Sequence, residues 1–211
     1  MRFLDAAADL LLGASCPGCR IPSLGVCASC AGQLRQHPTH VVRRPGLDTT
    51  VFAAAPYRPL LDRIIPTFKD DGAWGCAGFL AGLLARSLQH HDLRQGVLLV
   101  PVASRPDAVR RRGLDHGRVL ARGAARRLGV GWAALLNRPS GGAAQRGLDR
   151  RGRLELSASR FSVRRTGRPV ILVDDVVTTG ATLRSAIGAL RDAGVQVAGA
   201  AVIADANTFP I

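Results

Sequence analysis

Asp174 and Asp175 stand side by side, and Thr178, Thr179, Gly180, Ala181 and Thr182 follow at once. These residue types split one ligand between two chemistries. Threonine hydroxyls, with the backbone N–H groups of a loop that opens a helix, hold an anion, most often a phosphate. Two adjacent carboxylates repel such an anion. They suit the hydroxyls of a sugar, or a Mg²⁺ that bridges sugar and phosphate. Gly180 lets the main chain come close to the ligand. A second group lies near the N-terminus, where Cys16-x-x-Cys19 and Cys27-x-x-Cys30 are separated by seven residues. Each pair puts two thiolates within reach of one tetrahedral ion. Four cysteines leave no open position for water, so the Zn²⁺ expected there is structural. A pair of disulfides is the competing reading, and it needs an oxidising compartment.

The elements that position these groups can be read around them. Residues 170–173 are apolar and mostly β-branched, a buried strand that ends at the acid pair. Leu183, Ile187 and Leu190 then follow helical spacing, with Gly194 as a stop. The acids and threonines therefore belong to a strand–loop–helix turn. A receiver domain, with its acid pair after an early strand, is excluded because too little chain follows Asp175 to build one. Upstream, residues 51–57 read as a strand, and Leu60, Leu61, Ile64 and Ile65 as one side of a helix ending near Phe68. Lys69, the sole lysine, comes next in Phe68-Lys69-Asp70-Asp71-Gly72; its bland reading is an exposed charge at a helix end. Residues 74–88 read as a buried helix, with Cys76 a core residue. Residues 97–102 read as a central parallel strand. Ser104 and Arg105 follow its C-terminal end, where ligands gather in open α/β sheets, and Arg105 suits bidentate contact to a diphosphate. One helix is expected over 107–128, carrying Arg110, Arg111 and Arg112 on one side. His116 within it is either a group titrating near neutral pH or an ordinary surface residue. Residues 140–146 read as a Gly-rich flexible loop, and 195–203 as a last strand ending at Ala204-Asp205.

A chain of 211 residues suffices for one α/β domain with a small appendage. Hydrophobic content of 47% argues for a soluble globular protein over a disordered one. No apolar stretch reaches the roughly 18 residues of a membrane span. Residues 10–16 faintly resemble a lipoprotein signal, but Asp5 and Asp9 interrupt the apolar segment. Phe3, Leu4, Ala7, Leu10 and Leu11 instead follow helical spacing, so a short amphipathic helix and a cytoplasmic protein are expected. The net charge of +14 suits anionic ligands and nucleic acid. Aromatics at 4% leave few platforms for stacking bases.

The run from Asp174 to Thr182 resembles the ribosyl-phosphate-binding signature of type I phosphoribosyltransferases. The resemblance implies that Asp174 and Asp175 hold the ribose hydroxyls of phosphoribosyl pyrophosphate (PRPP). Thr178, Thr179, Gly180, Ala181 and Thr182 would surround its 5′-phosphate, and Val176 would also belong to the PRPP site. A four-cysteine head before such a domain narrows the resemblance to the ComF family, whose members are linked to DNA uptake in competence. The segment from Phe68 to Gly72 resembles that family's Phe-Lys-x-x-Gly, which implies that Lys69 reaches the active site. Residues 103–105 resemble the pyrophosphate loop, which implies Ser104 and Arg105 on the diphosphate, joined by Arg112. Arg112-Gly113 keeps the start of the family's Arg-Gly-Phe-Asn-Gln segment, while Leu114, Asp115 and His116 replace the rest. Gln145 and Arg151 match family positions in the flexible loop; Glu155 and Leu156 stand near where an Asn is usual.

The implied fold class is α/β: a type I phosphoribosyltransferase fold, an open parallel sheet flanked by helices, over residues 46–211, with a small zinc-binding module over 1–45. The expected function is binding of Mg²⁺–PRPP, with transfer of phosphoribose to an unidentified acceptor and a link to DNA uptake. The alternative is a non-enzymatic, PRPP-sensing adaptor that holds DNA or a partner protein through the zinc module and basic surface. A glutamine amidotransferase activity is not expected, since these 211 residues leave no room for a glutaminase domain and their first cysteine is Cys16.

Overall fold

The computed structural model describes residues 14–94, 96–138 and 161–207. The expectations for the N-terminal helix, the 140–146 loop, Gln145, Arg151, Glu155 and Leu156 lie outside them. A six-stranded sheet runs in the order β1-β2-β8-β7-β3-β4. Its strands are β1 (His40–Val42), β2 (Val51–Pro56), β3 (Leu98–Pro101), β4 (Gly131–Trp132), β7 (Val170–Val177) and β8 (Val197–Asp205). All pairings are parallel except β1 with β2. Strands β5 (Leu136–Asn137) and β6 (Ser162–Val163) form a separate antiparallel pair.

The central strand is apolar on both sides because both sides are covered. Along β7, Ile171 and Val173 enter one core cluster, whereas Val170 and Leu172 enter the other. The first face is covered by α2 (Leu61–Asp70), α3 (Ala77–Leu88) and α5 (His116–Leu128); the second is covered by α6 (Ala181–Asp192). The cysteine head adds α1 (Ala28–Gln36), whose Cys30 and Leu34 join Cys16 and Cys27 in the first cluster. The head is thus packed on the same face as α2 and α3. Arg86 of α3 ties the two together by donating to the carbonyls of Leu34, Arg35 and His37 at the end of α1. Such donors meet the carbonyls that a helix end leaves without partners.

Two expected elements differ from the structure. The single helix over 107–128 is two helices, α4 (Pro106–Arg112) and α5. Gly113 ends α4 in the left-handed region at φ 72°, and Asp115 caps α5 by accepting from the Arg118 amide. The helix expected from Trp74 begins as a 3₁₀ turn, Trp74–Cys76, and becomes α-helical only at Ala77. Trp74 itself is exposed, while Cys76 is fully buried in the core as expected.

Candidate functional site

The acid pair lies in the carboxyl half of β7, which runs on to Val177 instead of ending at the acids, and the threonine loop leads from the strand into α6. Gly180 occupies the N-cap of α6 at φ 76°, a conformation open to glycine and strained for other residues. A side chain there would also meet Leu47 Cδ1 at 2.9 Å. Ala181 donates its amide to Thr179 Oγ1 at 3.3 Å. The loop carbonyls are held from outside. Arg44 Nε donates to Thr178 O at 2.7 Å, and Arg184 Nη1 donates to Thr179 O at 3.0 Å. With the carbonyls engaged, the amides at the start of α6 remain to meet an anion.

Arg44 is fixed in turn by an ion pair with Asp205, a buried carboxylate at the end of β8. Asp205 also lies 3.5 Å from His40 Nε2 and accepts the Asn207 amide at 2.9 Å. Sequence reasoning missed this support. Arg44 and Asp205 are 161 residues apart, and only the β2–β8 pairing brings their segments together.

Beside the turn, a cleft of about 470 Å³ gathers Lys69, Ser104, Arg105, Arg112, Asp174, Asp175 and Thr182 from the expected set. Thr178, Thr179, Gly180, Ala181 and Val176 belong to the adjoining strand end and loop rather than to its walls. Arg111, Arg138 and His116 line it too; for Arg111 the signal was the triple-arginine run. Lys69 lies in the last turn of α2 and reaches Asp175 Oδ2 at 2.5 Å. Arg112 pairs with Asp70 at 2.7 Å, and Ser104 donates to Asp115 Oδ1 at 3.1 Å.

The acids are not equivalent. Burial, and then the charge of Asp175, pushes the Asp174 carboxyl up to about 7, although Lys69, the Asp175 amide and Arg138 pull the other way. A cation entering the cleft would return that carboxyl to its ionised form. Two carboxylates are hard oxygen donors of the kind that hold Mg²⁺ together with substrate phosphates. His116 is buried, against the surface reading. It stands edge-on to Phe68 at 4.8 Å, and burial, then Arg112 and Lys69, keep its pKa below the ordinary value.

The four head cysteines converge as their spacing requires, with ligand sulfurs all within 4.8 Å of one another. Cys19 Sγ and Cys27 Sγ are 3.6 Å apart. A tetrahedron of about 2.3 Å Zn–S bonds has edges of about 3.8 Å, so the set fits Zn²⁺. The Cys27 amide donates to Cys16 Sγ at 3.4 Å, a contact that favours the Cys16 thiolate, and the Cys30 amide donates to Cys27 Sγ at 3.5 Å.

A phosphoribosyl transferase domain profile matches residues 114–208, which include the acid pair and the threonine loop. Competence protein F of Haemophilus influenzae is 29% identical over 201 residues, covering 86% of each chain. Residues 114–208 carry a phosphoribosyl transferase domain, and most of the chain is similar to competence protein F. Adenine phosphoribosyltransferase of Mycolicibacterium smegmatis is 37% identical over 111 residues, half of this chain and 59% of that one. A crystal structure of adenine phosphoribosyltransferase from Thermoanaerobacter pseudethanolicus matches 67% of this chain and 73% of its own, at 19% identity and a TM-score of 0.41. No helix among the described residues is long and apolar enough to cross a membrane.

Proposed function

We propose that this protein binds Mg²⁺–PRPP in the cleft between β3, β7 and α4, and transfers phosphoribose from it. The observation that carries the reading is the meeting, in one cleft, of an acid pair with Lys69, Arg105, Arg111 and Arg112. Asp174 and Asp175 take the ribose hydroxyls and the Mg²⁺, while the loop from Thr178 to Thr182 takes the 5′-phosphate. Ser104, Arg105, Arg112 and Lys69 face the diphosphate. Phosphoribosyl transfer passes through a cationic sugar, so carboxylates beside the ribose and cations beside the leaving diphosphate are where charge develops. The Zn²⁺ of the cysteine head is structural, and the reading places the protein in the cytoplasm, where thiols stay reduced. Calorimetry with Mg²⁺–PRPP tests it. Asp175→Asn should weaken PRPP more than inorganic phosphate, whereas Thr179→Val should weaken both, by about 1–3 kcal/mol. No PRPP binding by the wild type with Mg²⁺ present would end the reading.

A second reading, a DNA-holding adaptor linked to DNA uptake, draws on one observation. Residues 105–138 carry nine arginines against two aspartates, half of the net charge of the chain. Arg110, Arg122 and Arg126 among them are exposed. Binding to a single-stranded oligonucleotide should then fall steeply with salt, through counterion release. Equal affinity across salt, or no binding near 50 mM salt, the low end of the usual comparison range, would remove the adaptor.

A further inference from the structure

A further cavity, of about 350 Å³, shares no residue with the acid-pair cleft. Its walls are the end of β1 and the segment that joins β1 to β2, residues 43–50. Binding of PRPP requires none of this space. From its lining and its ties to the phosphate loop we infer that it is an effector site. It takes a small amphipathic monoanion, a carboxylate on a short apolar body, and its occupancy strengthens binding at the loop. The coupling, though not the site, rests on the PRPP reading of the cleft.

The charge of the ligand follows from which side chains are already paired. Arg44 is engaged with Asp205 and with the carbonyls of Arg43 and Thr178. Asp48 is paired with Arg191 at 2.6 Å. Arg43 is exposed, and its side chain makes no ion pair or hydrogen bond among the described residues. The charged side chains lining the cavity thus leave one cation unanswered. A guanidinium fork meets a carboxylate through two parallel N–H···O bonds. A dianion would bring a second charge that no free side chain of the lining answers. The hydroxyl of Thr50, also exposed and without a side-chain partner among the described residues, adds a donor to the same walls.

The apolar half follows from Val41, Val42 and Leu47. Val41 is 42% exposed on the strand at one edge of the sheet, so a hydrocarbon laid over it removes apolar area from water. A bare inorganic anion would leave that wall wet. A neutral apolar molecule would leave Arg43 facing it unpaired.

The segment from Arg43 to Thr50 is laced to the phosphate loop and to α6. Arg44 holds the Thr178 carbonyl, and Arg184 Nη1 joins the carbonyls of Pro45 and Thr179 at 2.8 and 3.0 Å. Leu47 stands against Gly180, the N-cap of α6. Near the other end of α6, Arg191 donates to Asp48 and to Thr49 Oγ1 at 2.9 Å. Because β1 supplies Val41 and Val42 and the segment supplies the other walls, the cavity is complete only while the segment is seated. A ligand that bridges Arg43 to Val41 and Val42 binds that seated state better than a lifted one. It therefore favours the state in which Arg44 and Leu47 hold the loop. Linkage is reciprocal, so a ligand at the loop tightens the cavity by the same factor.

Calorimetry on the full chain with hexanoate tests the site. Acetate and hexan-1-ol are the controls, since each keeps only one half of the ligand. Hexanoate should bind at least about tenfold more tightly than either. Arg43→Ala should abolish that binding. Arg94→Ala, which removes another exposed arginine, should leave it unchanged, and both variants should bind Mg²⁺–PRPP as wild type does. Saturating hexanoate should lower the Kd for PRPP by about fivefold or more, and should leave it unmoved in Arg43→Ala. If hexanoate does not bind, or binds Arg43→Ala as tightly as wild type, the effector site is refuted while the PRPP reading stands. If hexanoate binds and the PRPP affinity does not move, the coupling is refuted. If PRPP itself does not bind, the PRPP reading falls, and inorganic phosphate in its place decides the coupling by the same comparison.

Discussion

At the scale of single residues, Asp174 and Asp175 show how one sequence feature acquires two electrostatic roles. Asp175 has Lys69 at 2.5 Å, whereas Asp174 is held up to about 7 by burial and by the Asp175 charge. The native state therefore keeps a proton on Asp174 that the unfolded chain, with an ordinary value of 3.8, releases. Where the native state binds more protons, stability falls as pH rises. Asp174 thus costs the free protein stability progressively between pH 3.8 and about 7. Asp174→Asn removes that cost. The melting temperature of the variant, minus that of the wild type, should climb across this window and level off above it. A difference that stays flat from pH 4 to 8 would contradict the burial argument. The acids, the threonine loop and the cysteine pairs were all legible in the sequence because their spacing is local. The stacked rings of Trp74 and His116 were not read as a pair, since their meeting depends on how the 3₁₀ turn before α3 packs against α5.

At the scale of elements, the phosphate loop owes its shape to segments far from it in the chain. Arg44 follows β1, Asp205 ends β8, and the loop follows β7; parallel pairing of β2, β8 and β7 sets all three side by side. The apolar runs predicted the strands but not their neighbours, so the Arg44–Asp205 pair was invisible. The broken helix has a different cause. Gly113 and Asp115 are a stop and a cap in adjacent turns, signals overruled by the continuous run of arginines and apolar residues. Arg44→Ala would leave Asp205 buried without its guanidinium, a loss of about 3–5 kcal/mol. It would also free the Thr178 carbonyl to turn towards the anion. Urea titration should show a lower midpoint, and phosphate affinity should fall along with PRPP affinity. Arg44→Lys restores the charge but not the fork that reaches two partners, so it should recover stability better than phosphate binding. Equal recovery of both would mean that the Thr178 contact is idle.

At the scale of the whole molecule, the cysteine head is not a free-standing appendage. Cys16, Cys27 and Cys30 belong to the same core cluster as Leu61, Ile64, Phe68 and Leu80. A Cβ on Gly18 would touch Cys30 Sγ at 2.9 Å and Leu60 at 3.4 Å, and one on Gly25 would meet the Gly75 carbonyl at 2.7 Å. Those contacts fall just before and just after α2, the helix that carries Lys69. Metal-binding energy in such a unit is folding energy, and here the fold it supports includes one wall of the cleft. Deprived of Zn²⁺, the buried Cys30 thiol, pushed up by desolvation and by the neighbouring sulfurs, would hold its proton, and the shared core would lose the ion that ties its four sulfurs together. Stripping the metal with a strong chelator under reducing conditions, or replacing it through Cys16→Ser, should therefore lower the melting temperature of the entire molecule in one cooperative transition. Elemental analysis should show one zinc per chain beforehand, and PRPP affinity should drop as the metal leaves, because Lys69 loses its support. Two separate transitions, with the larger one unmoved and PRPP affinity intact, would show instead that the head folds alone and that the contacts flanking α2 carry no load.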